Sequence, residues 1–398
     1  MNVQASRKVP KIRFKGFEAE WKENPIGDVV AENKRPVVLR DHHRYEFITV
    51  KRRNEGIVSR GHLWGREILV KNYSQLKAGD FVISKRQVVH GATGMVTKNL
   101  DGAIVSNEYL VAVNSNKLLT EFLTILASLP DMRQKFFLSS YGVDIEKLFF
   151  DAEDWKKRDV TIPDVTEQTK ISAYFRALER LIRLRQLKHE KLVALKKAML
   201  QKMFPQTGAT MPEIRFKGFS GDWVEHEFKL IASRSTQSAS DAHLPRIEYE
   251  DILSGSGCLN KDVFKKSSSK IGLNFDRGDL LFGKLRPYLK NWWLAEFAGI
   301  AVGDFWVLQS AEATSEFIYC LIQTEAFERV ANQSSGSKMP RSDWKLVSGS
   351  AFRIPVQIEE QQKVGTYFRT LDTLIAQHAS QLQKIQQIKS ACLEKMFV

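Results

Sequence analysis

The chain has 398 residues, of which 43% are hydrophobic and 27% charged, and a formal net charge of +14. These proportions are typical of a globular protein, and the excess of basic residues favours a polyanionic partner, most often nucleic acid. No apolar run is long enough to span a bilayer and the N-terminus has no signal-peptide core, so we expect a cytoplasmic protein without a membrane partner.

Cysteine is sparse. The three residues Cys258, Cys320 and Cys392 are far apart and form no Cys-x-x-Cys pair. The sequence therefore predicts neither a zinc site nor a disulfide framework, which fits a reducing compartment.

The first part of the chain predicts a mixed α/β domain. Residues 1–9 resemble a loose basic tail, and residues 10–21 carry three aromatic side chains that we expect to cover a domain edge. Residues 45–50 and 79–85 predict strands, 102–111 an apolar strand region, and 118–127 and 132–137 helices. A polar loop is predicted at 139–142, before the segment Ile162-Pro163.

A long helix is predicted next, from residue 167 to 204, because this stretch lacks proline and its apolar residues recur at alternating steps of four and three. A second such stretch covers 359–398. A period near 3.5 residues is typical of a helix that packs along its length against another helix, although ordinary amphipathic packing gives a similar pattern. A helix of this length spans about 57 Å at 1.5 Å per residue. The seam positions are Ile171, Phe175, Leu178 and Ile182 in the first stretch and Val364, Phe368, Leu371 and Ile375 in the second.

The two stretches are copies of each other. They align without a gap at a shift of 193 residues, with 16 of 38 positions identical. A shorter repeat, Pro-x-Ile-Arg-Phe-Lys-Gly-Phe, begins at Pro10 and again at Pro212. Residues 278–284 and 354–355 likewise repeat the framework of 79–85 and 162–163, while the loops differ. The chain is therefore predicted to be a tandem duplication.

The predicted fold class is α+β, with two mixed α/β recognition domains joined by two long antiparallel coiled-coil helices. We place the first domain at residues 1–161 and the first long helix at 162–205. The second domain follows at 206–353 and the second long helix at 354–398.

The chain as a whole resembles the specificity subunit of type I restriction-modification enzymes. The resemblance rests on the Gly-Asp…Lys segments at 79–85 and 278–284, the Ile-Pro…Tyr-Phe segments at 162–175 and 354–368, and the two Lys-Met-Phe ends. It implies two target recognition domains, each reading one half of a bipartite site in double-stranded DNA. The helices would set the gap between the half-sites and bind two methyltransferase subunits, and motor-nuclease subunits would join the complex.

No catalytic site is predicted. The chain has no Asn-Pro-Pro-Tyr motif, with Asn24-Pro25-Ile26 only a superficial start, and no glycine-rich S-adenosylmethionine loop. Residues 278–284 satisfy the start of a phosphate-binding loop, but Leu285 stands where Ser or Thr would hold Mg²⁺, so a strand ending in Lys284 is the better interpretation. The pair His42-His43 lacks further ligands and predicts a solvated loop. We expect no metal and no cofactor.

Candidate DNA contacts are basic and small polar residues in loops near the predicted strands, since base edges and phosphates are bound by such groups. Each is also compatible with an ordinary exposed position. Glycine beside the pair Ser337-Lys338 would let the backbone approach a duplex closely. The candidates are Lys51, Arg52, Arg53, Lys85, Arg86, Ser140 and Tyr141 in the first domain, and Lys284, Arg286, Tyr288, Ser337, Lys338 and Arg341 in the second.

Polar residues interrupt the helix seams at Arg185, His189, His378 and Lys389, and we take these as candidate contacts to a methyltransferase partner. The alternatives are a stand-alone duplicated DNA-binding protein, the specificity subunit of another restriction-methylation type, and an enzyme acting on nucleic acid. The absence of a carboxylate or metal cluster speaks against the last.

Overall fold

The computed structural model describes residues 8–69, 72–241, 243–265, 270–333 and 339–398. The chain forms two compact units: unit 1 contains the residues up to Ile182 together with Ile385–Val398, and unit 2 contains Arg183–Lys384.

Unit 1 contains two main sheets. One has the strand order β2-β10-β7-β8 and the other β3-β6-β9-β4-β5, and the pairs β1-β13 and β11-β12 complete the unit. The β4–β9 pair is parallel. The strands are β1 (Lys22–Pro25), β2 (Ala31–Glu32), β3 (Pro36–Val37), β4 (Arg44–Val50), β5 (Ile57–Trp64), β6 (Tyr73–Gln75), β7 (Phe81–Ser84), β8 (Thr93–Met95), β9 (Ile104–Ser106), β10 (Tyr109–Val113), β11 (Ser140–Tyr141), β12 (Phe149–Phe150) and β13 (Asp159–Ile162).

The helices of unit 1 cover one face of the β2-β10-β7-β8 sheet. Phe81, Phe122 and Phe136 are fully buried in this core, with Trp155 stacked on Phe136 at 5.5 Å between ring centroids. The helices are α1 (Ile26–Val29), α2 (Thr120–Leu126), α3 (Pro130–Leu138), α4 (Ala152–Lys156) and the first part of α5 (Val165–Lys202).

Unit 2 repeats the four-stranded sheet of unit 1 and four of the five strands of its other sheet. Its sheets have the orders β15-β24-β21-β22 and β16-β20-β23-β17, and β17–β23 is again parallel. The elements are β14 (Val224–Glu227), α6 (Phe228–Ile231), β15 (Ala232–Ser235), β16 (Ser238–Ala239), β17 (Arg246–Ile247), β18 (Ile252–Leu253), β19 (Cys258–Leu259), β20 (Gly272–Phe275), β21 (Leu280–Gly283), β22 (Trp292–Leu294), β23 (Gly299–Ala301), β24 (Phe305–Ser310), α7 (Ser315–Leu321), α8 (Glu325–Ala331), α9 (Trp344–Gly349), β25 (Ala351–Ile354) and α10 (Ile358–Lys395).

The predicted long helices are confirmed as α5 and α10, and the α+β duplicated fold is confirmed with them. Within each unit, segments of the two helices pair in opposite directions. In unit 1 Tyr174 contacts Cys392 and Glu179 contacts Lys389. In unit 2 Arg185 lies 3.4 Å from His378, and Lys196 forms a 2.6 Å ion pair with Asp372.

The repeated segment that begins each half clamps the helix ends; we call residues 10–21 the first strap and 212–223 the second strap. The Ile12 amide donates to Lys395 O at 2.9 Å, and the Arg13 guanidinium binds the buried Glu167 carboxylate through two 2.7 Å bonds. Each strap therefore ties the last turn of one long helix to the first turn of the other. Unit 2 has the same contacts: the Ile214 amide donates to Lys202 O, and the Arg215 guanidinium binds the Glu360 carboxylate.

Sequence reasoning placed the strands and helices well but was wrong at 139–142. Ser140 and Tyr141 form strand β11, which pairs with Phe149 and Phe150, because a hairpin closes over residues 142–148. Residues 278–284 contain the predicted strand as β21 (Leu280–Gly283), and Lys284 follows it directly. Most of the predicted tail at 1–9 lies outside the described residues. None of the helices described is long and apolar enough to cross a membrane.

Candidate nucleic-acid interface

The basic residues of unit 2 meet at Lys284, the residue directly after β21. Residues 340–342 run alongside this point: the Arg286 amide donates to Pro340 O at 2.7 Å, and the Ser342 amide donates to Lys284 O at 2.8 Å. These two bonds bring Arg341 next to Lys284, although 56 residues separate them in the sequence.

A carboxylate lies between the two cations. Asp304 Oδ2 accepts from Arg341 Nη2 at 3.0 Å, and Asp304 Oδ1 is 3.5 Å from Lys284 Nζ. Partial burial tends to raise the pKa of Asp304, but the hydrogen bond from Arg341 and the charges of Arg341 and Lys284 outweigh it and lower that pKa below its usual value. The carboxylate is thus ionised at neutral pH and holds both cations.

The loop after Lys284 has an unusual backbone. Arg286 and Lys290 adopt positive φ angles of 48° and 57°, a left-handed conformation that is rare without glycine. The Tyr249 hydroxyl fixes the loop, accepting from the Leu285 amide at 2.9 Å and donating to Asp304 O at 2.6 Å. Burial raises the pKa of Tyr249 far above neutrality, so the hydroxyl keeps its proton. The Tyr288 side chain is 55% exposed at the tip of this loop.

Unit 1 builds the corresponding site at the end of β7. The Lys85 amide donates to Glu108 O at 2.9 Å, and the Phe150 amide donates to Lys85 O at 2.9 Å. The second bond docks the β11–β12 hairpin beside Lys85 in the place that residues 340–342 occupy in unit 2. Arg86 forms an ion pair with Glu108 and lies 5.4 Å from the centroid of Phe149.

The same hairpin carries two further candidates. The Tyr141 ring is 62% exposed and lies 5.9 Å from Phe149. The Ser140 hydroxyl donates to Phe136 O at 2.8 Å, so its proton is directed inward. The exposed aromatic ring and the arginine therefore form one surface.

The turn between β4 and β5 is held against this surface. The amides of Arg53 and Asn54 donate to His90 O and Gly91 O at 2.7 and 2.8 Å. Arg52 donates to Gln87 Oε1 at 2.8 Å and to Glu146 Oε2 at 2.7 Å, which links it to the residue after Arg86. Lys51 and Arg53 are exposed on the turn.

Sequence reasoning missed three residues of these surfaces. Glu108 and Asp304 were missed because acidic residues are not expected in a nucleic-acid site. Arg60 is the extra residue of a β-bulge between the pairs Phe47–Gly61 and Ile48–Ser59. Burial raises the pKa of Tyr109, the residue after Glu108, and the positive charge of Arg60 opposes this shift in part. Bulges often redirect side chains at functional sites.

Two predicted contacts, Ser337 and Lys338, lie outside the described residues. The remaining DNA candidates fall into the two clusters, and their contact with DNA stays a prediction.

The four candidate partner contacts lie between the long helices. In unit 2, Arg185 Nη1 is 3.4 Å from His378 Nδ1, and the buried His189 Nδ1 has no partner among the described residues. Desolvation, followed by the charges of Lys188, Arg185 and His189, lowers the pKa of His378. In unit 1, Lys389 binds Glu179 at 3.1 Å. Their role in partner binding stays a prediction.

An exposed apolar row on α5 was not predicted. In unit 2 its members are 40–51% exposed. The apolar period was used to identify the buried face of the helix, so these exposed residues were not predicted. The row consists of Leu184, Leu187 and Leu195.

A cavity of about 690 Å³ in unit 2 lies elsewhere, lined by Gln201, Trp292 and Arg329 among others. Within the described ranges, no three His, Cys, Asp or Glu side chains come together in a way that suits a metal ion.

Comparisons with known proteins concern the specificity domain and the fold. Residues 18–194 match the family model of the type I restriction modification DNA specificity domain. No curated protein matches the chain. Among solved structures, the type I restriction-modification system S subunit from M. genitalium is similar at 13% identity, with 98% of this chain and 99% of that one covered and a TM-score of 0.62. The HsdS subunit from Thermoanaerobacter tengcongensis is similar at 17% identity, with coverage of 95% and 96% and a TM-score of 0.45.

Proposed function

We propose, from the match of residues 18–194 to the family model of the type I restriction modification DNA specificity domain, that each of the two units of this chain reads one half of a bipartite DNA site. The chain is a non-catalytic DNA-specificity protein of a restriction-modification system. We also propose that the recognition domains bind DNA and that the long helices set the gap and bind partner subunits. The proposed bounds are 1–161 and 206–353 for the domains and 162–205 and 354–398 for the helices.

The observation that carries the proposal is the position shared by Lys85 and Lys284. Each lysine follows the third strand of an equivalent four-stranded sheet, and each accepts a backbone hydrogen bond from a distant segment that carries further polar or aromatic groups. Arginine and lysine side chains bind guanine edges in the major groove, and further arginine and lysine side chains bind the phosphates. Two such sites with different side chains suit two different half-sites.

The long helices fit the second part of the proposal. Exposed leucines on a helix are a usual docking surface for a partner helix, since contact removes apolar area from water. We propose that Leu184, Leu187 and Leu195 contact a methyltransferase subunit, that two such subunits bind, and that motor-nuclease subunits complete the assembly in the cytoplasm. Arg185, His189, His378 and Lys389 would then hold the helix pair in the geometry that the partner binds.

A map of methylated adenines tests this proposal. It is made in cells that carry this chain and the methyltransferase encoded beside it. We expect a split motif, two short half-sites around a fixed gap. Arg341→Ala should weaken recognition of one half only, by about 1–3 kcal/mol if Arg341 makes a base contact.

Arg353→Ala is the matched control, because Arg353 also forms an ion pair in unit 2, with Glu225 at 3.0 Å, but lies away from the candidate site. A contiguous motif, or methylation that does not depend on this chain, would refute the proposed role. Equal effects of the two substitutions would refute the assignment of the site.

A further inference from the structure

An acidic residue occupies the same backbone position in both candidate sites. Glu108 and Asp304 each directly precede the strand that pairs with β7 or β21, the strand before the lysine, and each carbonyl accepts the lysine amide, at 2.9 Å in both units. Any residue supplies that carbonyl, so the fold does not require a carboxylate here.

The carboxylates nevertheless bind the candidate DNA-reading cations. Glu108 pairs with Arg86, and Asp304 pairs with both Arg341 and Lys284. The basic partners come from different segments in the two units: Arg86 follows Lys85 directly, whereas Arg341 arrives from a distant loop. The same arrangement is therefore reached with different sequences.

Stability does not account for these pairs. The Arg86 and Arg341 side chains are 62% and 53% exposed, and ion pairs at such positions contribute little to folding. A carboxylate also repels phosphate, which opposes binding at a surface that attracts DNA. Its presence twice at the same position calls for a function that offsets this loss.

We propose that Glu108 and Asp304 are specificity-determining residues that hold the basic side chains for base readout and oppose their capture by phosphate of any sequence. This rests on the proposed function. A guanidinium held by a carboxylate keeps its planar fork in one orientation, which bidentate base contacts need. Without the carboxylate, the same cation is free to bind the nearest phosphate.

The test uses the full chain co-purified with the methyltransferase encoded beside it, and the variants Asp304→Asn and Glu108→Gln. Binding to a random-sequence duplex is measured over a range of salt concentrations, and preferred sites are selected from a randomised duplex library. Each cation freed for phosphate should steepen the salt slope by about 0.9 and raise random-sequence affinity about five- to tenfold at about 0.1 M salt.

Selection should show a relaxed second half-site for Asp304→Asn and a relaxed first half-site for Glu108→Gln. Asp304→Glu and Glu108→Asp keep the charge and should restore most of the preference. Glu225→Gln, which removes an ion-paired carboxylate elsewhere in unit 2, should change neither quantity.

If the wild-type complex selects a split motif but the Asn and Gln variants keep both half-sites and the wild-type salt slope, the carboxylates are not specificity residues. Equal weakening on all sequences would also refute the inference, because it indicates damage to the structure. If the wild-type complex selects no split motif, the proposed function itself fails and the inference fails with it.

Discussion

Replacing Arg215 with alanine should destabilise unit 2 strongly. The Glu360 side chain is 1% exposed and accepts from Arg215 Nε and Nη2 at 2.7 Å each, with Trp223 Nε1 a longer third donor at 3.3 Å. Without Arg215 the carboxylate stays buried and keeps only the weak third bond. Removing one partner of a buried ion pair costs about 3–5 kcal/mol.

The loss is large enough to measure in two ways. For a folding unit of this size, about 1 kcal/mol lowers the melting temperature by about 2–4 °C, so Arg215→Ala should lower it by about 6–20 °C. Urea unfolding followed by circular dichroism should show the same loss as a lower midpoint at an unchanged slope.

Lys202→Ala is the matched control at the same strap. Its ion pair with Glu213 is also short, at 2.6 Å, but the two side chains are 45% and 64% exposed, and we expect a loss below about 1 kcal/mol. The double variant Arg215→Met, Glu360→Gln removes the buried charge and should recover much of the stability. Similar losses for Arg215→Ala and Lys202→Ala, or no recovery in the double variant, would refute the reasoning.

Three further substitutions test other features. Leu184→Glu should leave the melting temperature nearly unchanged, because the side chain is 51% exposed, but abolish co-purification with the methyltransferase; Leu230→Glu at a similarly exposed position (45%) should not. Gly365→Ala should destabilise unit 2 by about 1–3 kcal/mol, because the new Cβ would lie 2.5 Å from Glu316 Cβ, and this clash outweighs the better helix propensity of alanine. The control is Gly349→Ala, which should be tolerated because nothing lies within 4 Å of a Cβ at that position. Urea unfolding of both variants measures the difference in stability. The pKa of His378 is lower in the folded chain than in the unfolded chain. The unfolded chain therefore binds the proton first on acidification, and the free energy of unfolding falls as the pH drops below about 6.5. His378→Gln should make the free energy of unfolding less dependent on pH between about pH 7 and pH 5, and an unchanged dependence would contradict this.

The sequence alone determined the duplication and its framework. A shift of 193 residues and a 3.5-residue period are properties of residue order, so α5, α10 and the repeated straps were identifiable without coordinates. The local strands followed in the same way, because β-branched and aromatic runs between turn residues favour them.

The tertiary structure alone decided which residues share a site. Arg341 meets Lys284, and the hairpin of Tyr141 meets Arg86, through backbone hydrogen bonds between segments more than 50 residues apart. No sequence motif identifies Asp304 or Glu108, because the proposed role of each carboxylate depends on the cation beside it. Strand pairing and contacts between distant segments place that cation there. The seam period likewise could not show which face of α5 stays exposed. A helix pattern defines directions around its axis, whereas burial depends on the neighbours that the fold supplies.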